Sequence, residues 1–209
     1  MNKKLKKNNI FIKLKPSFCN NRLNINNITQ TLHELGIKES DFYYFFPDKI
    51  QSLCIFFFQT VQGQLESKVS KKLRVEKSIS KRVNYILLEL IKLFEQDKAV
   101  TKYFLNYMSL KPIFLKKTSL IFSNNVWYLL KDKSVDFNFY TKRLILSQIL
   151  INTTLFWRGS AKMSDTEDYI NRQIEFLGKF GFYKSKLKKF ASKLTPKDFL
   201  SKLDFLHKN

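Results

Sequence analysis

Glycine, proline and cysteine are scarce in this sequence of 209 residues, which contains five, four and two of them. Because few residues interrupt the chain and apolar residues recur at helical rather than alternating spacing, strand-based folds are excluded and an all-α protein is predicted. Cys19 and Cys54 have no neighbouring cysteine, so neither a zinc site nor a CxxC redox pair can be built from them. Two isolated cysteines suit a reducing compartment.

Acidic residues are also few, since 38 Lys and Arg stand against 17 Asp and Glu and give a net charge of +21. This excess favours an anionic partner, either a nucleic acid or the headgroup surface of a lipid bilayer. An AT-rich genome would also enrich lysine and asparagine, so composition alone leaves the cause of the charge open.

Long apolar segments are missing. The longest uncharged runs, residues 50–65 and 144–157, are shorter than the ~20 apolar residues that a membrane-spanning helix needs. The first 18 residues contain lysine but no arginine, no long apolar region and no small-residue cleavage site. Such a start predicts retention in the compartment of synthesis.

Catalytic patterns are missing as well. The two histidines, His33 and His207, are far apart in the sequence, and no glycine-rich phosphate loop occurs. No residues form a recognisable nucleophile and general base. The sequence therefore predicts a protein that is not an enzyme and that uses no cofactor and no metal.

Periodicity places the helices. Ile28, Leu32 and Leu35 predict a short helix ended by Gly36, and Pro47 with Asp48 predicts the start of a long one. The long helix carries Leu53, Phe57, Val61 and Leu65 on one face, and further helices are predicted at 79–95, 98–110, 115–131, 139–157 and 166–180. The predicted domains are a basic N-terminal extension (1–20), a helix-turn-helix-like head (21–60), a helical body (61–182) and a basic amphipathic tail (183–209).

The segment "ELGIKESDFYYFFPDKIQSL", residues 34–53, resembles the helix-turn-helix signature of TetR-type regulators, with Gly36 at the turn and Tyr43 in the reading helix. Its chemistry is unsuited to DNA. Glu39 and Asp41 would face phosphates, and the helix lacks the Arg, Asn or Gln that reads bases. We interpret the motif as fold ancestry and expect no specific nucleic acid, with a TetR-type transcriptional regulator as the alternative function.

Two further segments, "DFNFYTKRLILSQILINTTLFW" (136–157) and "DTEDYINRQIEFL" (165–177), resemble the ubiquinone (coenzyme Q) biosynthesis accessory family, whose members keep a TetR-like body. The first matches the family pattern at Asp136, Phe137, Asn138, Tyr140, Thr141, Lys142 and Arg143, while Phe139 replaces the usual tryptophan. The second matches at Asp165, Thr166, Arg172 and Ile174, while Asn171 and Gln173 depart.

This resemblance implies an all-α, TetR-like helical bundle that forms a homodimer and catalyses nothing. It implies binding of an isoprenoid quinone precursor or phospholipid, and docking of demethoxyubiquinone hydroxylase on the first motif. The implied partner-binding residues are Asp136, Phe137, Asn138, Phe139, Tyr140, Thr141, Lys142 and Arg143. Aromatic residues beside an arginine suit an interface. A corner of the core would have the same composition, and Asp136 and Asn138 suit helix capping.

Bulky residues of the body could line a lipid cavity. The candidates are Phe104, Trp127, Ile149, Phe156 and Trp157. Spacing alone favours an ordinary packed core for these residues, whereas the family resemblance favours an isoprenoid ligand.

The tail carries apolar residues near helical spacing among many lysines: Leu187, Phe190, Leu194, Phe199, Leu200 and Leu203. This pattern is typical of a helix that lies on an anionic membrane surface, although a helix packed on its own domain would look similar. The sequence therefore predicts a cytoplasmic protein that is peripheral on the inner face of the bacterial inner membrane, or else on the matrix side of the mitochondrial inner membrane.

Overall fold

The structure is a computed structural model that describes residues 3–19, 23–160 and 162–180. Its helices are α1 (Lys3–Cys19), α2 (Ile28–Glu34), α3 (Glu39–Phe45), α4 (Ile50–Val75), α5 (Ile79–Gln96), α6 (Lys98–Ser109), α7 (Pro112–Leu129), α8 (Asp136–Gly159) and α9 (Met163–Phe180). Within these ranges there is no strand, so the predicted all-α fold is confirmed and is consistent with a TetR-like bundle. None of the described helices combines the length and the hydropathy that crossing a membrane requires.

Helix α1 lies where the sequence analysis expected only a basic extension. One face of this helix is buried and consists of Ile10, Phe11, Leu14 and Phe18. The spacing of these residues is helical, but the lysines among them and Pro16 in the last turns conceal the pattern. A packed helix therefore precedes the helix-turn-helix, within the segment that the sequence predicted as a basic extension.

Two ion pairs join α1 to other helices of the same unit. Lys6 lies 2.6 Å from Asp41 in α3, and Lys15 lies 2.8 Å from Asp97, which occupies the N-cap position of α6. Both pairs are partly exposed, so each contributes less than about 1 kcal/mol. Burial of the apolar face is the larger contribution of α1 to stability.

Helices α2 and α3 form the predicted helix-turn-helix. Gly36 has φ +62°, a conformation that favours glycine because it has no Cβ, and the Ile37 N–H donates to the Leu32 carbonyl at 2.9 Å. Phe42 and Phe46 are fully buried, and the Phe46 ring lies 5.7 Å from that of Phe56 on α4. The α2–α3 motif is thus part of the hydrophobic core.

Helix α4 begins at Ile50, just after the predicted start at Pro47 and Asp48, and Lys49 takes a left-handed φ of 52° at the junction. Its predicted apolar face is buried: Leu53, Phe57, Val61 and Leu65. The predicted boundary between head and body, residue 60, lies inside this helix. The domain limits drawn from the sequence stay a prediction.

The chain divides into two compact units, of which the first consists of residues 1–75 and 86–118 and the second of residues 76–85 and 119–209. The first unit has an aromatic core. The Phe104 ring lies 5.0 Å from Phe18 and 5.3 Å from Phe57, and the Tyr103 hydroxyl donates to the Leu23 carbonyl at 2.7 Å. Burial raises the pKa of Tyr103 to about 12 and also raises the pKa of the Cys54 thiol.

The described part of the second unit consists of the start of α5, most of α7, and the helices α8 and α9, which pack against each other. Leu146, Ile149 and Ile170 are buried in it. The Asn84 amide donates to the Asn171 Oδ1 at 2.7 Å and so joins α5 to α9. This unit carries both motifs of the family resemblance.

Candidate partner-binding site

The connection between α7 and α8 positions the first family motif. Lys131 takes a left-handed φ of 56°, and the Asp132 N–H donates to the Trp127 carbonyl at 3.0 Å, which closes the end of α7. Val135 is the N-cap residue of α8 and makes no side-chain cap hydrogen bond. The side chains of Asp136 and Phe137 lie outside the described part, and a capping role for Asp136 and Asn138 stays a prediction.

Asp132 is the anionic centre of the site, with its side chain only 6% exposed. Its carboxylate accepts from Lys142 Nζ at 2.7 Å and from Arg143 Nη1 at 3.3 Å, and the Ser134 hydroxyl also donates to it. Burial alone would raise the pKa of Asp132, but the hydrogen bonds from Lys142 and Ser134 and the charge of Lys142 outweigh it and lower the pKa to about 2. Asp132 is therefore ionised over the physiological pH range.

Arg143 lies inside this network and is only 5% exposed. Its Nε donates to Asn124 Oδ1 at 2.7 Å, and its Nη1 donates to the Phe139 carbonyl at 2.9 Å. The guanidinium carbon lies 3.4 Å from the centre of the Phe139 ring and 5.7 Å from that of Tyr128. The structure therefore buries Arg143 and holds most of its guanidinium within the protein, although its Nη2 has no hydrogen-bond partner among the described residues; a role for Arg143 in binding a partner stays a prediction.

Lys142 is shared between the interior and the surface. Besides its ion pair with Asp132, its Nζ lies 5.2 Å from the Trp127 ring, and the Trp127 indole N–H donates to the Lys142 carbonyl at 3.1 Å. The basic pair of the motif thus ties α8 to the end of α7. Of the remaining motif residues, Asn138 is exposed, and Thr141 donates to the Asn138 carbonyl at 3.3 Å.

An apolar surface surrounds this network, and we name it the α8 aromatic surface. Its members are Tyr128, Val135, Phe139, Tyr140 and Leu144, of which Phe139 and Tyr140 are half-buried and the others are exposed. The rings of Phe139 and Tyr140 meet edge to face at 5.1 Å. Because Arg143 lies against Phe139 and Tyr128, the buried arginine fixes part of an exposed surface.

Sequence reasoning missed several of these residues, namely Asn124, Tyr128, Asp132, Val135 and Leu144. A signal for Asp132 was available, because it is the only acidic residue between Asp97 and Asp136 in a strongly basic chain. An isolated acid shortly before the two basic residues of a motif predicts an ion pair.

The five predicted lipid-binding residues are divided between the units. Phe104 belongs to the aromatic core of the first unit, and the other four belong to the second. Trp127, Ile149 and Trp157 are buried, whereas Phe156 is partly exposed and stacks on Tyr169 at 4.3 Å. Lipid contact by these residues stays a prediction.

The α8–α9 pair contains two buried threonines whose hydroxyls have no hydrogen-bond partner among the described residues, Thr153 and Thr166. Thr166 belongs to the second family motif. In that motif Asp165 is exposed in the first turn of α9, and the Arg172 guanidinium carbon lies 5.9 Å from the Tyr169 ring. A buried hydroxyl without a partner is uncommon in folded proteins and calls for an explanation.

A semi-open cavity of about 1020 Å³ lies in the first unit between α1, α4 and α5. Most of the residues that line it have polar side chains, Lys4, Asn8, Gln59, Gln64 and Lys68 among them. None of the predicted lipid-binding residues lines it. The predicted membrane-binding residues of the tail, Leu187, Phe190, Leu194, Phe199, Leu200 and Leu203, lie outside the described residues.

The helices define an all-α, TetR-like protein. It displays the α8 aromatic surface, part of which is fixed by the buried Arg143. Residues 116–181 match the model of the COQ9 family, and this range contains α8 and both motifs. Over this segment the resemblance to the ubiquinone biosynthesis family is thereby confirmed: residues 116–181 are similar to the COQ9 domain, whose family has a role in ubiquinone biosynthesis. Searches of curated proteins and of solved structures gave no match.

Proposed function

We propose that this chain is a non-catalytic accessory protein that binds an isoprenoid quinone precursor at the membrane and presents it to demethoxyubiquinone hydroxylase. The observation that carries the proposal is the α8 aromatic surface, which lies within the range that matches the COQ9 family. Exposed tyrosine and phenylalanine beside aliphatic residues have the composition of an interface centre.

Preorganisation supports this role. Phe139 is held by the Arg143 guanidinium, and Arg143 is in turn fixed by Asp132 and Asn124. A ring that is already fixed loses little conformational entropy when a partner docks, so more of the contact energy appears as affinity. The buried basic pair then acts indirectly, by supporting the rings that the partner would touch.

The lipid part of the proposal rests on Thr153 and Thr166. Each is a buried hydroxyl of the α8–α9 pair without a hydrogen-bond partner among the described residues, and an unpaired buried hydroxyl costs free energy. A quinone precursor has ring oxygens that could accept from these hydroxyls and an apolar chain that suits Ile149 and Trp157. The same two hydroxyls would donate equally well to the ester carbonyls of a phospholipid.

Tyr140→Ala tests the docking surface, with Tyr44→Ala in α3 as the matched control because Tyr44 is an exposed tyrosine of the other unit. We expect Tyr140→Ala to weaken binding to the purified hydroxylase by about 2 kcal/mol, which is roughly 30-fold, without a comparable loss of stability. Tyr44→Ala should leave the affinity unchanged. Equal affinity of all three proteins, measured by titration calorimetry, would reject the surface. Tyr140 is a better test position than Phe139, because a charged substitution such as Phe139→Lys would place a second cation beside Arg143.

Thr153→Val and Thr166→Val test the lipid site. Each removes a hydroxyl without a partner, so the free chain should melt at the same or a higher temperature, while the amount of co-purified lipid per chain should fall. Thr154→Val is the control, because the Thr154 hydroxyl donates to the Ile151 carbonyl at 3.0 Å. Mass spectrometry of lipid extracted from full-length protein gives the readout. Unchanged lipid in both valine variants would contradict the assignment.

Membrane association through the tail and homodimerisation are further parts of the proposal. The many lysines of the tail, residues 183–209, favour an anionic surface. The inner face of the bacterial inner membrane and the matrix side of the mitochondrial inner membrane are such surfaces. Removal of the tail should weaken sedimentation with anionic vesicles, and equal sedimentation of both proteins would reject the anchor.

A TetR-type regulator is the second candidate, and the intact α2–α3 motif with Gly36 at its turn favours it. The two acids in the first turn of α3, Glu39 and Asp41, oppose contact with phosphate, and Glu39 is exposed. Titration against duplex pools should give weak, salt-dependent binding without sequence preference. Enrichment of one palindromic site that survives roughly 200 mM salt would support the regulator instead.

A further inference from the structure

We propose that the turn between α6 and α7 is a membrane-binding surface that inserts Leu110 and Ile113 into an anionic bilayer. We name residues 107–117 the α6–α7 corner; all of them belong to the first unit. The proposal concerns a surface separate from the tail and from the α8 aromatic surface. It rests on exposed side chains of this unit and not on the proposed function.

The corner holds two aliphatic side chains in water. Leu110 is 84% exposed and Ile113 is 80% exposed. Pro112 begins α7, where its missing N–H costs no helical hydrogen bond, and the Leu115 N–H donates to the Lys111 carbonyl at 2.9 Å. The backbone of this turn is therefore well defined, and it presents both side chains outward.

Charge complementarity selects the bilayer as the occupant. Within the corner Lys111 and Lys116 are exposed and Lys117 is partly exposed, and Lys102 is partly exposed near it. No acidic residue occurs from 98 to 131. Lysine is depleted at the centre of protein interfaces. Aliphatic residues surrounded by lysines are instead typical of surfaces that enter the headgroup region of anionic membranes.

The aromatic rings next to Leu110 and Ile113 also suit the headgroup region of a bilayer. Lys111 Nζ donates to the Tyr107 hydroxyl at 2.8 Å and lies 4.6 Å from the centre of its ring, and the Tyr107 ring meets that of Phe114 at 6.2 Å. An amphipathic tyrosine and a lysine with an apolar stem both suit the boundary between headgroups and acyl chains. Leu110 and Ile113 would then reach deepest.

The first experiment reports on the position itself. Leu110→Cys is made in a Cys19→Ser background and labelled with an environment-sensitive fluorophore; Cys54 is buried and should not label. Vesicles of phosphatidylcholine with roughly a third phosphatidylglycerol should shift the emission to the blue, and salt should reverse the shift. The matched control is Val75→Cys, since Val75 is 81% exposed in the same unit. The absence of a shift at position 110, or an equal shift at position 75, would overturn the proposal.

The second experiment measures affinity on the full chain, in which the tail is retained. The double variant Leu110→Ser, Ile113→Ser should bind anionic vesicles about tenfold more weakly, and Lys111→Gln with Lys116→Gln should weaken binding at low salt only. Ile25→Ser, at another exposed isoleucine, should have no effect.

Other occupants give distinct results. A spectral shift that follows protein concentration without vesicles would identify a contact between copies, and one that needs the hydroxylase would identify a protein site. Either result would overturn the membrane assignment. Both leave the Tyr140 and Thr153 experiments untouched, so failure of this proposal is distinguishable from failure of the proposed function.

Discussion

The aromatic core of the first unit and the Asp132 network of the second are held together by different kinds of contact. Phe104 packs on Phe18 and Phe57 through non-directional contacts, which depend on volume. Asp132 holds Lys142 and Arg143 through directional, charged contacts. The first arrangement supplies stability, and the second fixes the orientation of side chains around a surface.

The difference shows in what each region can tolerate. A packed aromatic core loses free energy in proportion to the cavity that a substitution leaves. A buried ionic network instead loses most when one partner is removed and the opposite charge remains. We therefore expect the two regions to respond to different substitutions, pH values and backbone changes.

The largest expected effect is at the aromatic core. Phe104→Ala should lower the free energy of unfolding by about 4 kcal/mol, because the ring is fully buried among other aromatic residues. Urea denaturation followed by circular dichroism measures the loss, with Ile25→Ala as an exposed control that should change it by less than about 0.5 kcal/mol. A loss below about 1 kcal/mol would mean that the core repacks and that its volume is not decisive.

Asp132→Asn should cost about 3 kcal/mol, because Lys142 and the buried Arg143 would keep their charges without a counter-ion. The matched control is Asp41→Asn, which removes the partly exposed pair with Lys6 and should cost less than about 1 kcal/mol. Equal losses in the two variants would contradict the distinction between an internal network and a surface pair.

Acid should weaken the Asp132 network but not the aromatic core. The pKa of Asp132 is lowered to about 2 in the folded protein, below the unfolded value, so its stabilisation is complete above about pH 4 and is lost as the pH falls through 2. The loss should approach about 2 kcal/mol relative to Asp132→Asn, which cannot titrate. The free energy of unfolding of both proteins is measured between pH 5 and 2. An equal decrease in both proteins would refute the prediction.

The smallest expected effect is at the backbone that delivers Asp132. Lys131→Gly should stabilise the protein by roughly 0.5 kcal/mol, since glycine adopts the observed φ of 56° without strain. Lys49→Gly, at φ 52° in the first unit, provides the comparison, and Lys133→Gly, without a left-handed φ, should give no gain. Equal melting temperatures for Lys131→Gly and Lys133→Gly would show that the left-handed residue carries no strain.

Most of the helical fold was predictable from the sequence, because periodicity is local. The buried face of α4 and the end of α2 at Gly36 follow from spacing and from glycine chemistry. Helix α1 was missed because lysines surround its apolar residues and Pro16 suggests an interruption. Its buried face is explained only by contacts with distant segments such as α6.

The site was less predictable, for a physical reason. Aromatic residues beside an arginine have the same composition whether the arginine faces a partner or the interior, so Arg143 was assigned to the surface although it is buried. What decides the matter is Asp132, which lies on the preceding connection and is brought to Arg143 by the end of α7. Such a pairing leaves no trace in a helical period.

The ring contact between Phe46 and Phe56 bears on how this molecule could have evolved. Phe46 closes the α2–α3 motif and is buried, whereas Phe56 lies on α4, and Lys7 of α1 covers both rings at 5.1 and 4.9 Å. Loss of α2 and α3 would uncover apolar surface that the remaining helices cannot cover. Selection for stability alone would therefore retain the α2–α3 motif even in a protein that reads no DNA, while leaving its exposed side chains free to change.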